Sequence, residues 1–178
     1  ARWCGHNPLK DAIRYSEICS RTPGGLRFDV RLLEPSTGCW TELHAAMDSW
    51  VHPVLAAAAS GGGTTADTPT EVDSYGCVTS LPGAPDQAFH PDGSDGLINV
   101  FCPLVALSEL NGPTEFRPGS HLWPTSTSDD DGTPTCAPVA PLLLQGEILL
   151  FDYRCYHRGR TFHLDFGRHP GVFELLGS

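Results

Sequence analysis

The first quarter of the chain carries one clear strand pattern. Residues 26–33 read LRFDVRLL and alternate apolar with polar side chains, which is typical of a half-buried strand. The stretch before it is mixed in character, and short helical pieces are predicted around residues 8–19. Residues 60–70 read SGGGTTADTPT and predict a flexible loop.

A helical pattern occupies residues 41–59, which read TELHAAMDSWVHPVLAAAA. Thr41 can cap the helix, because its hydroxyl accepts a hydrogen bond from a free N–H of the first turn. Pro53 is expected to kink the helix or to split it. Four apolar residues are predicted to share its buried face: Leu43, Ala46, Trp50 and Leu55.

From residue 71 onwards the pattern changes to short apolar runs separated by turn signals such as PGAPD, PDGSDG and PGSH. Strands at this spacing favour a β-sandwich or a jelly roll. We therefore expect one mainly β domain over residues 1–178, with a jelly-roll core at 72–178 and helical and strand elements of 1–71 packed outside it. The predicted strands of the core are 72–79, 87–90, 97–107, 114–117, 139–144, 147–151, 155–158 and 171–176.

Composition supports a single domain and excludes some classes of function. A chain of 178 residues is long enough for one core, and 19 Gly and 16 Pro suit many short elements joined by turns. No apolar run approaches the roughly 18–20 residues that a membrane span needs. Eleven basic and 21 acidic residues give a net charge of −10, which disfavours binding to nucleic-acid phosphates.

The seven cysteines include no C-x-x-C pair. Their odd number and wide spacing argue against a disulfide framework and against a structural zinc site. Cys77, Cys102 and Cys155 lie in apolar segments and are expected to be small buried hydrophobes. We therefore expect an intracellular, reducing compartment.

The candidate chemistry begins at His90-Pro91-Asp92. Residues i and i+2 of a strand point to the same face, so an imidazole and a carboxylate would converge. His157, in the strand-like segment 155–158, offers a second imidazole. Two histidines and one carboxylate form the facial triad of non-heme Fe(II) oxygenases. Taken alone, the tripeptide also fits a turn aspartate beside a partly exposed histidine.

Four longer stretches carry a resemblance to a known family. They are QAFHPDG at 87–93, NVFCPL at 99–104, NGPTEFRPGSH at 111–121, and GEILLFD followed by YHRG within 146–159. In order and spacing this text resembles the phytanoyl-CoA dioxygenase family, a branch of the Fe(II)- and 2-oxoglutarate-dependent oxygenases. The resemblance implies a double-stranded β-helix, which is a squashed jelly roll with its metal at one mouth.

The resemblance also implies an activity. His90, Asp92 and His157 match the iron ligands, and the chain is expected to hydroxylate a small organic substrate, with succinate and CO2 as co-products. The intact ligand set favours an enzyme. Four apolar residues are expected to keep bulk water away from the iron: Phe89, Val100, Leu149 and Phe151.

The cosubstrate 2-oxoglutarate needs an anchor for its far carboxylate, and a guanidinium offers a matching planar pair of donors. By the resemblance, Arg168 fills this role eleven positions after His157, with Arg160 as a second choice. Gln87 and Thr114 match polar positions that contact the cosubstrate in the family.

One segment departs from the family pattern and keeps an alternative open. Phe162 and Leu164 stand where the family usually has Asn and Ser, and His169 separates Arg168 from Pro170. The alternative function is a catalytically silent family member that serves as a structural or binding subunit for a protein partner.

Two further residues of the PGSH region have competing interpretations. His121 either lines the pocket or stabilises its own turn. Trp123 is equally compatible with covering the core and with contacting a substrate.

Overall fold

The computed structural model describes residues 15–20, 25–32, 45, 49–55, 75–93, 97–123, 136–163 and 171–177. Residues 49–55 are helical, and Ser120–Leu122 form one turn of 3-10 helix. The strands are β1 Tyr15–Ser20, β2 Arg27–Leu32, β3 Tyr75–Ser80, β4 Ile98–Cys102, β5 Thr114–Phe116, β6 Leu149–Asp152, β7 His157–Gly159 and β8 Gly171–Gly177.

Six of these strands form the main sheet, in the order β1-β2-β3-β8-β4-β6. All of its neighbours pair antiparallel. Strand β8 lies in the middle, between β3 and β4, although it comes last along the chain. The two N-terminal strands β1 and β2 continue this sheet at one edge.

The second sheet pairs β5 with β7 antiparallel, so that Phe116 faces His157. Isolated bridges extend it on both sides, from His157 to His90 and from Phe116 to Val139. The second sheet therefore runs from His90 through β7 and β5 to Val139. The mainly β class predicted from the sequence is confirmed.

Three aromatic rings join the two sheets. Phe101 of β4 and Phe151 of β6 meet edge to face, with ring centroids 4.6 Å apart. Phe116 of β5 contacts Phe151 at 4.8 Å. Because β4 and β6 belong to the main sheet and β5 to the second, these rings fill the space between the layers.

The other face of the main sheet is covered by the helical stretch 49–55. Val51 and Val100 are 7% and 5% exposed and pack together, with Leu55, Ile148 and Leu150 against them. Val100 and its neighbour Phe101 thus point to opposite faces of β4, as alternation along a strand requires.

A buried arginine ties the N-terminal strands to the second sheet. Arg27 of β2 is 2% exposed, and its Nε donates to Ser80 Oγ at 2.8 Å. Its terminal nitrogens donate to the carbonyls of Pro85, Gly159 and Arg160. Burial lowers the pKa of Arg27 to about 10. A β-carbon at Gly159 would lie 2.6 Å from Arg27 Cζ, so this approach requires glycine.

Two predicted secondary-structure elements need correction. Residues 15–20 form β1 rather than part of a helix, because β1 gains a continuous pairing with β2. Trp50, predicted on the buried helix face, is 68% exposed, and Val51 is buried instead. The stretch 49–55 is helical on both sides of Pro53, so the helix is not split there.

Two predicted strands, 87–90 and 139–144, reduce to single bridges at His90 and Val139. Proline explains the second case, since Pro141 lies inside the predicted strand 139–144. Proline lacks the N–H that a continuing ladder needs. Within the described ranges, no helix is long and apolar enough to cross a membrane.

Candidate metal centre

Three side chains from two distant parts of the sequence converge at one point of the second sheet. The ligand atoms of His90, Asp92 and His157 all lie within 4.8 Å of one another. Asp92 Oδ2 is 3.4 Å from His157 Nε2, and Asp92 Oδ1 is 3.9 Å from His90 Nε2. Among the residues that the structure describes, no other such group of three could hold a metal ion.

Backbone pairing brings these residues together. The amide of His90 donates to the His157 carbonyl and the amide of His157 donates to the His90 carbonyl, both at 3.0 Å. Asp92 N donates to the Tyr153 carbonyl at 3.0 Å, which sets the place of the carboxylate. The bridge puts the two imidazole rings 4.8 Å apart, centroid to centroid.

Both imidazoles are held in the same way. His90 Nδ1 lies 2.9 Å from the Ala88 carbonyl, and His157 Nδ1 lies 2.9 Å from the Cys155 carbonyl. A carbonyl oxygen can only accept, so each Nδ1 carries the proton and each Nε2 presents a lone pair. The two lone-pair nitrogens are the atoms that approach Asp92.

His157 lies in an apolar environment. Its side chain is 7% exposed, and the rings of Phe101, Phe116 and Phe151 lie 6.3, 5.8 and 5.1 Å from its ring, centroid to centroid. Burial lowers the pKa of His157, with the Asp92 carboxylate acting in the opposite direction. The neutral, metal-binding form of this imidazole is therefore favoured.

Asp92 is held by a residue that sequence reasoning left without a role. Asn99 of β4 is 2% exposed, and its Nδ2 donates to Asp92 Oδ2 at 2.6 Å. The signal was present in the sequence, since Asn99 is a polar residue in the apolar strand INVFC. A buried amide needs partners, and here a ligand carboxylate supplies one.

We expect Asn99→Ala to weaken Fe(II) binding about 10- to 100-fold, as is typical for loss of a partner that orients a metal ligand. The free carboxylate would rotate, and the apolar strand would offer it no other donor. An anaerobic titration of the metal-free protein measures this. Asn99→Asp places a second carboxylate beside Asp92 and removes the amide donor, so it should also bind Fe(II) more weakly than the parent. Equal Fe(II) affinity in the parent and both variants would contradict the role of Asn99.

The residues predicted to contact the cosubstrate fall in different places. Gln87 Oε1 accepts a hydrogen bond from Gly159 N at 2.9 Å, so its amide oxygen already holds β7. Thr114 lines an apolar cleft between the sheets together with Phe101, Phe116 and Leu149. Arg168 lies outside the described residues, and its role stays a prediction.

The apolar surroundings predicted for the site are partly wrong. Phe151 contacts His157, and Leu149 lines the neighbouring cleft. Val100 packs on the other face of β4 against the helical stretch, and Phe89 lies under the guanidinium groups of Arg117 and Arg158. Alternation along extended chain explains both errors, because Val100 is next to Phe101 and Phe89 is next to His90, and Phe101 and His90 are the residues that face the site.

The other candidates lie outside the converging group. His121 is in the 3-10 turn, and the ring of Trp123 contacts Tyr156 at 5.3 Å. Cys155 is buried, and burial raises the pKa of its thiol, which keeps it protonated. Phe162 is fully buried, and its backbone bonds to Gly83 and Ala84.

Solved structures share the fold. The chain aligns with AviO1 from Streptomyces viridochromogenes Tue57 at TM-score 0.61 and 20% identity, covering 96% of this chain and 78% of that one. It aligns with the epimerase SnoN, solved with Fe3+, alpha-ketoglutarate and nogalamycin RO, at TM-score 0.59 and 17% identity, covering 96% and 69%. HygX from Streptomyces hygroscopicus, with nickel and 2-oxoglutarate bound, aligns at TM-score 0.60 and 15% identity, covering 90% and 72%.

Curated relatives are fungal dioxygenases. The multifunctional dioxygenase ausE of Penicillium brasilianum is 32% identical over 93 residues, which are 43% of this chain and 31% of ausE. Dioxygenase cdmA of Talaromyces verruculosus is 29% identical over 118 residues, 54% of this chain and 39% of cdmA. The chain thus spans about a third of the length of the first of these relatives.

The family comparison covers the whole candidate centre. The model of the phytanoyl-CoA dioxygenase (PhyH) family matches residues 66–169, a stretch that includes His90, Asp92 and His157. Since this stretch is more than half of the 178 residues, the chain belongs to the phytanoyl-CoA dioxygenase family.

Proposed function

We propose that this chain is the β domain of an Fe(II)- and 2-oxoglutarate-dependent dioxygenase that hydroxylates a small organic substrate. The observation that carries the proposal is the convergence of His90, Asp92 and His157, with both Nε2 lone pairs near the carboxylate. The fungal dioxygenase relatives support the same class of reaction.

The donor set fits Fe(II). Two neutral imidazoles and one carboxylate on one side of an ion leave coordination positions open on the other side. Iron bound there would supply O2 activation coupled to the oxidative decarboxylation of 2-oxoglutarate, with succinate and CO2 as products.

The chain's own residues prepare the site for that chemistry. The carbonyls of Ala88 and Cys155 keep the proton of each imidazole on Nδ1, which leaves Nε2 free to bind a metal. Asn99 fixes the orientation of the Asp92 carboxylate. Phe101, Phe116 and Phe151 line the His157 side with apolar surface. Such surface excludes bulk water and protects reactive species from side reactions.

We also infer that the two sheets are the layers of a double-stranded β-helix. The main-sheet order β3-β8-β4-β6 and the second-sheet order His90-β7-β5-Val139 support it. The chain passes from one layer to the other at every step from β3 to β8 except between β5 and Val139, which both lie in the second layer. Strands β1 and β2 add to the edge of the first layer.

Arg168 is proposed as the anchor of the far carboxylate of 2-oxoglutarate. We expect Arg168→Lys to weaken 2-oxoglutarate binding by about tenfold or more, because an ammonium cannot make two parallel hydrogen bonds to a carboxylate. Isothermal titration of the metal-loaded protein without O2 measures this. Arg160→Lys is the matched control, and a loss seen there instead would move the anchor to Arg160.

Slow decarboxylation of 2-oxoglutarate without substrate tests the whole proposal. Aerobic protein with Fe(II) and 2-oxoglutarate should form succinate above the metal-only background, and Asp92→Ala should not, because the iron loses its anionic ligand. Glu147→Ala, which removes an exposed carboxylate outside the ligand group, is the control. Equal succinate from the parent and Asp92→Ala would favour a catalytically silent subunit.

A further inference from the structure

The outer side of the second sheet carries a cluster of charged and aromatic side chains beside the two histidine ligands. We call it the arginine–phenylalanine cluster, and its members are Asp86, Phe89, Glu115, Arg117 and Arg158. Phe89 is the residue before His90, and Arg158 is the residue after His157. Neighbours along extended chain point to opposite sides, so the cluster lies on the side away from the ligand rings.

Phe89 is the centre of this cluster. The guanidinium carbon of Arg117 lies 4.3 Å from the Phe89 ring centroid, and that of Arg158 lies 4.6 Å from it. Both distances are within the range of a favourable cation–π contact. The segment that carries His90 is therefore bound from outside by two arginines.

Arg158 also holds two carboxylates. Its Nε donates to Glu115 Oε2 at 2.7 Å, and its NH1 lies 3.3 Å from Asp86 Oδ2. Glu115 is the direct partner of Arg158 in the β5–β7 register. One guanidinium thus connects β7, β5 and the segment 86–89.

These contacts add a side-chain restraint to the backbone pairing of the His90 segment. Its backbone pairs with the β7 region through the His90–His157 bridge, through the bond from Gln87 N to the Gly159 carbonyl, and through the bond from Asp92 N to the Tyr153 carbonyl. Loss of the contacts on Phe89 would remove the outer restraint and allow the segment a small rotation about these bonds. Metal ligands must stay within about 0.5 Å of their working geometry, so such rotation would lower affinity.

We propose that Arg158 is a positioning residue that restrains the orientation of His90 relative to His157 by holding Phe89 and Glu115 on the outer side of the sheet. This inference rests on the proposed metal site. It assigns to the cluster a role in preorganising that site, beyond its share in the stability of the fold.

The test compares metal affinity with stability in the full chain. Arg158→Met keeps the apolar stem but removes the guanidinium, and we expect its Co(II) dissociation constant to rise about tenfold, with an altered Co(II) absorption spectrum. Urea unfolding of the metal-free protein is measured in parallel. Arg158→Lys, which keeps a charge opposite Glu115, should fall between the parent and Arg158→Met, and it serves where Arg158→Met does not fold.

The matched control is Arg154→Met. Arg154 resembles Arg158 in exposure, with side chains 37% and 28% exposed, and it binds the Asp152 carboxylate through Nε and NH2. It lies three residues before His157, and its removal should leave the Co(II) constant and spectrum unchanged. Phe89→Leu should also weaken Co(II) binding. The double variant Phe89→Leu/Arg158→Met should bind Co(II) only slightly more weakly than either single variant, since both substitutions remove the same Arg158–Phe89 contact.

The outcomes separate this inference from the proposed function. If the parent binds Co(II) and Arg158→Met binds it equally well with the same spectrum, the positioning role is wrong and the metal site stands. If Arg158→Met is less stable but its folded fraction binds as the parent does, the cluster is structural only and the inference fails. If the parent binds no Co(II), or His157→Ala binds equally well, the metal site itself is overturned and the positioning role with it.

Discussion

Replacing His157 by alanine is expected to lower the Fe(II) affinity of the chain by more than about 100-fold, beyond the roughly 10- to 100-fold typical of losing an outer partner. The reason is geometric, because His90 and Asp92 alone cannot complete a facial set of three ligands. His157 is also the buried member, so no surface side chain can replace it. Anaerobic titration with Fe(II), or with Co(II) as a spectroscopic substitute, measures the change.

The control for this variant is His163→Ala. His163 is exposed, and its backbone N–H donates to the Leu110 carbonyl, a bond that the substitution leaves in place. Its affinity should equal that of the parent. A His157→Ala protein that bound iron as tightly as the parent would show that the metal lies elsewhere.

The Fe(II) affinity of the parent should fall as the pH is lowered, because protons compete with the metal for the imidazole nitrogens.

Arg27→Ala is expected to lower the free energy of unfolding by about 3 kcal/mol or more, because each buried acceptor left unsatisfied costs about 1–3 kcal/mol. The guanidinium is 2% exposed and serves one hydroxyl and three carbonyls. Its removal takes a charged donor from each of them, and among the described residues only the Gly159 carbonyl keeps a second bond, from Gln87 N. Since whole domains are stable by only about 5–15 kcal/mol, such a variant would be close to unfolding. Urea unfolding followed by circular dichroism measures the loss.

Arg154→Ala provides the comparison for this stability experiment. Its guanidinium binds one carboxylate near the surface, where such pairs contribute about 0–1 kcal/mol. Gly159→Ala should also destabilise the protein, because the added carbon would lie 2.6 Å from Arg27 Cζ and 2.8 Å from Gln87 Oε1. Equal midpoints for Arg27→Ala and Arg154→Ala would show that Arg27 does not hold the N-terminal strands.

The convergence of the three candidate ligands could be predicted from residue type, order and the resemblance of the surrounding stretches. His90 and Asp92 stand two apart, and His157 follows in a recognisable stretch, so residue type and order suffice. Asn99 was harder, since its partner Asp92 is fixed only by the tertiary fold.

The sequence did not show which side chains of β4 point toward the site. Ile98–Cys102 is largely buried on both faces, so Val100 and Phe101 look equivalent in a hydrophobicity pattern. Only the position of the helical stretch 49–55 on one side and of His157 on the other decides which residue faces the site. The exposure of Trp50 has the same origin, because its neighbour Val51 is the residue that meets Val100.

The strand β1 shows a further limit of local patterns. Residues 15–20 gain their extended form from β2, and nothing within the hexapeptide requires it. The bridge at Val139 shows the reverse case, where Pro141 shortened a strand that the apolar pattern predicted to be longer.

The central place of β8 has a consequence for synthesis on the ribosome. Strands β3 and β4 leave the ribosome before β8, yet the main sheet joins them only through it. Until Gly171–Gly177 has emerged, each half of the sheet presents an unpaired edge. Such edges invite pairing with other nascent chains, so chaperone dependence during translation should exceed that of a protein whose sheet closes in chain order.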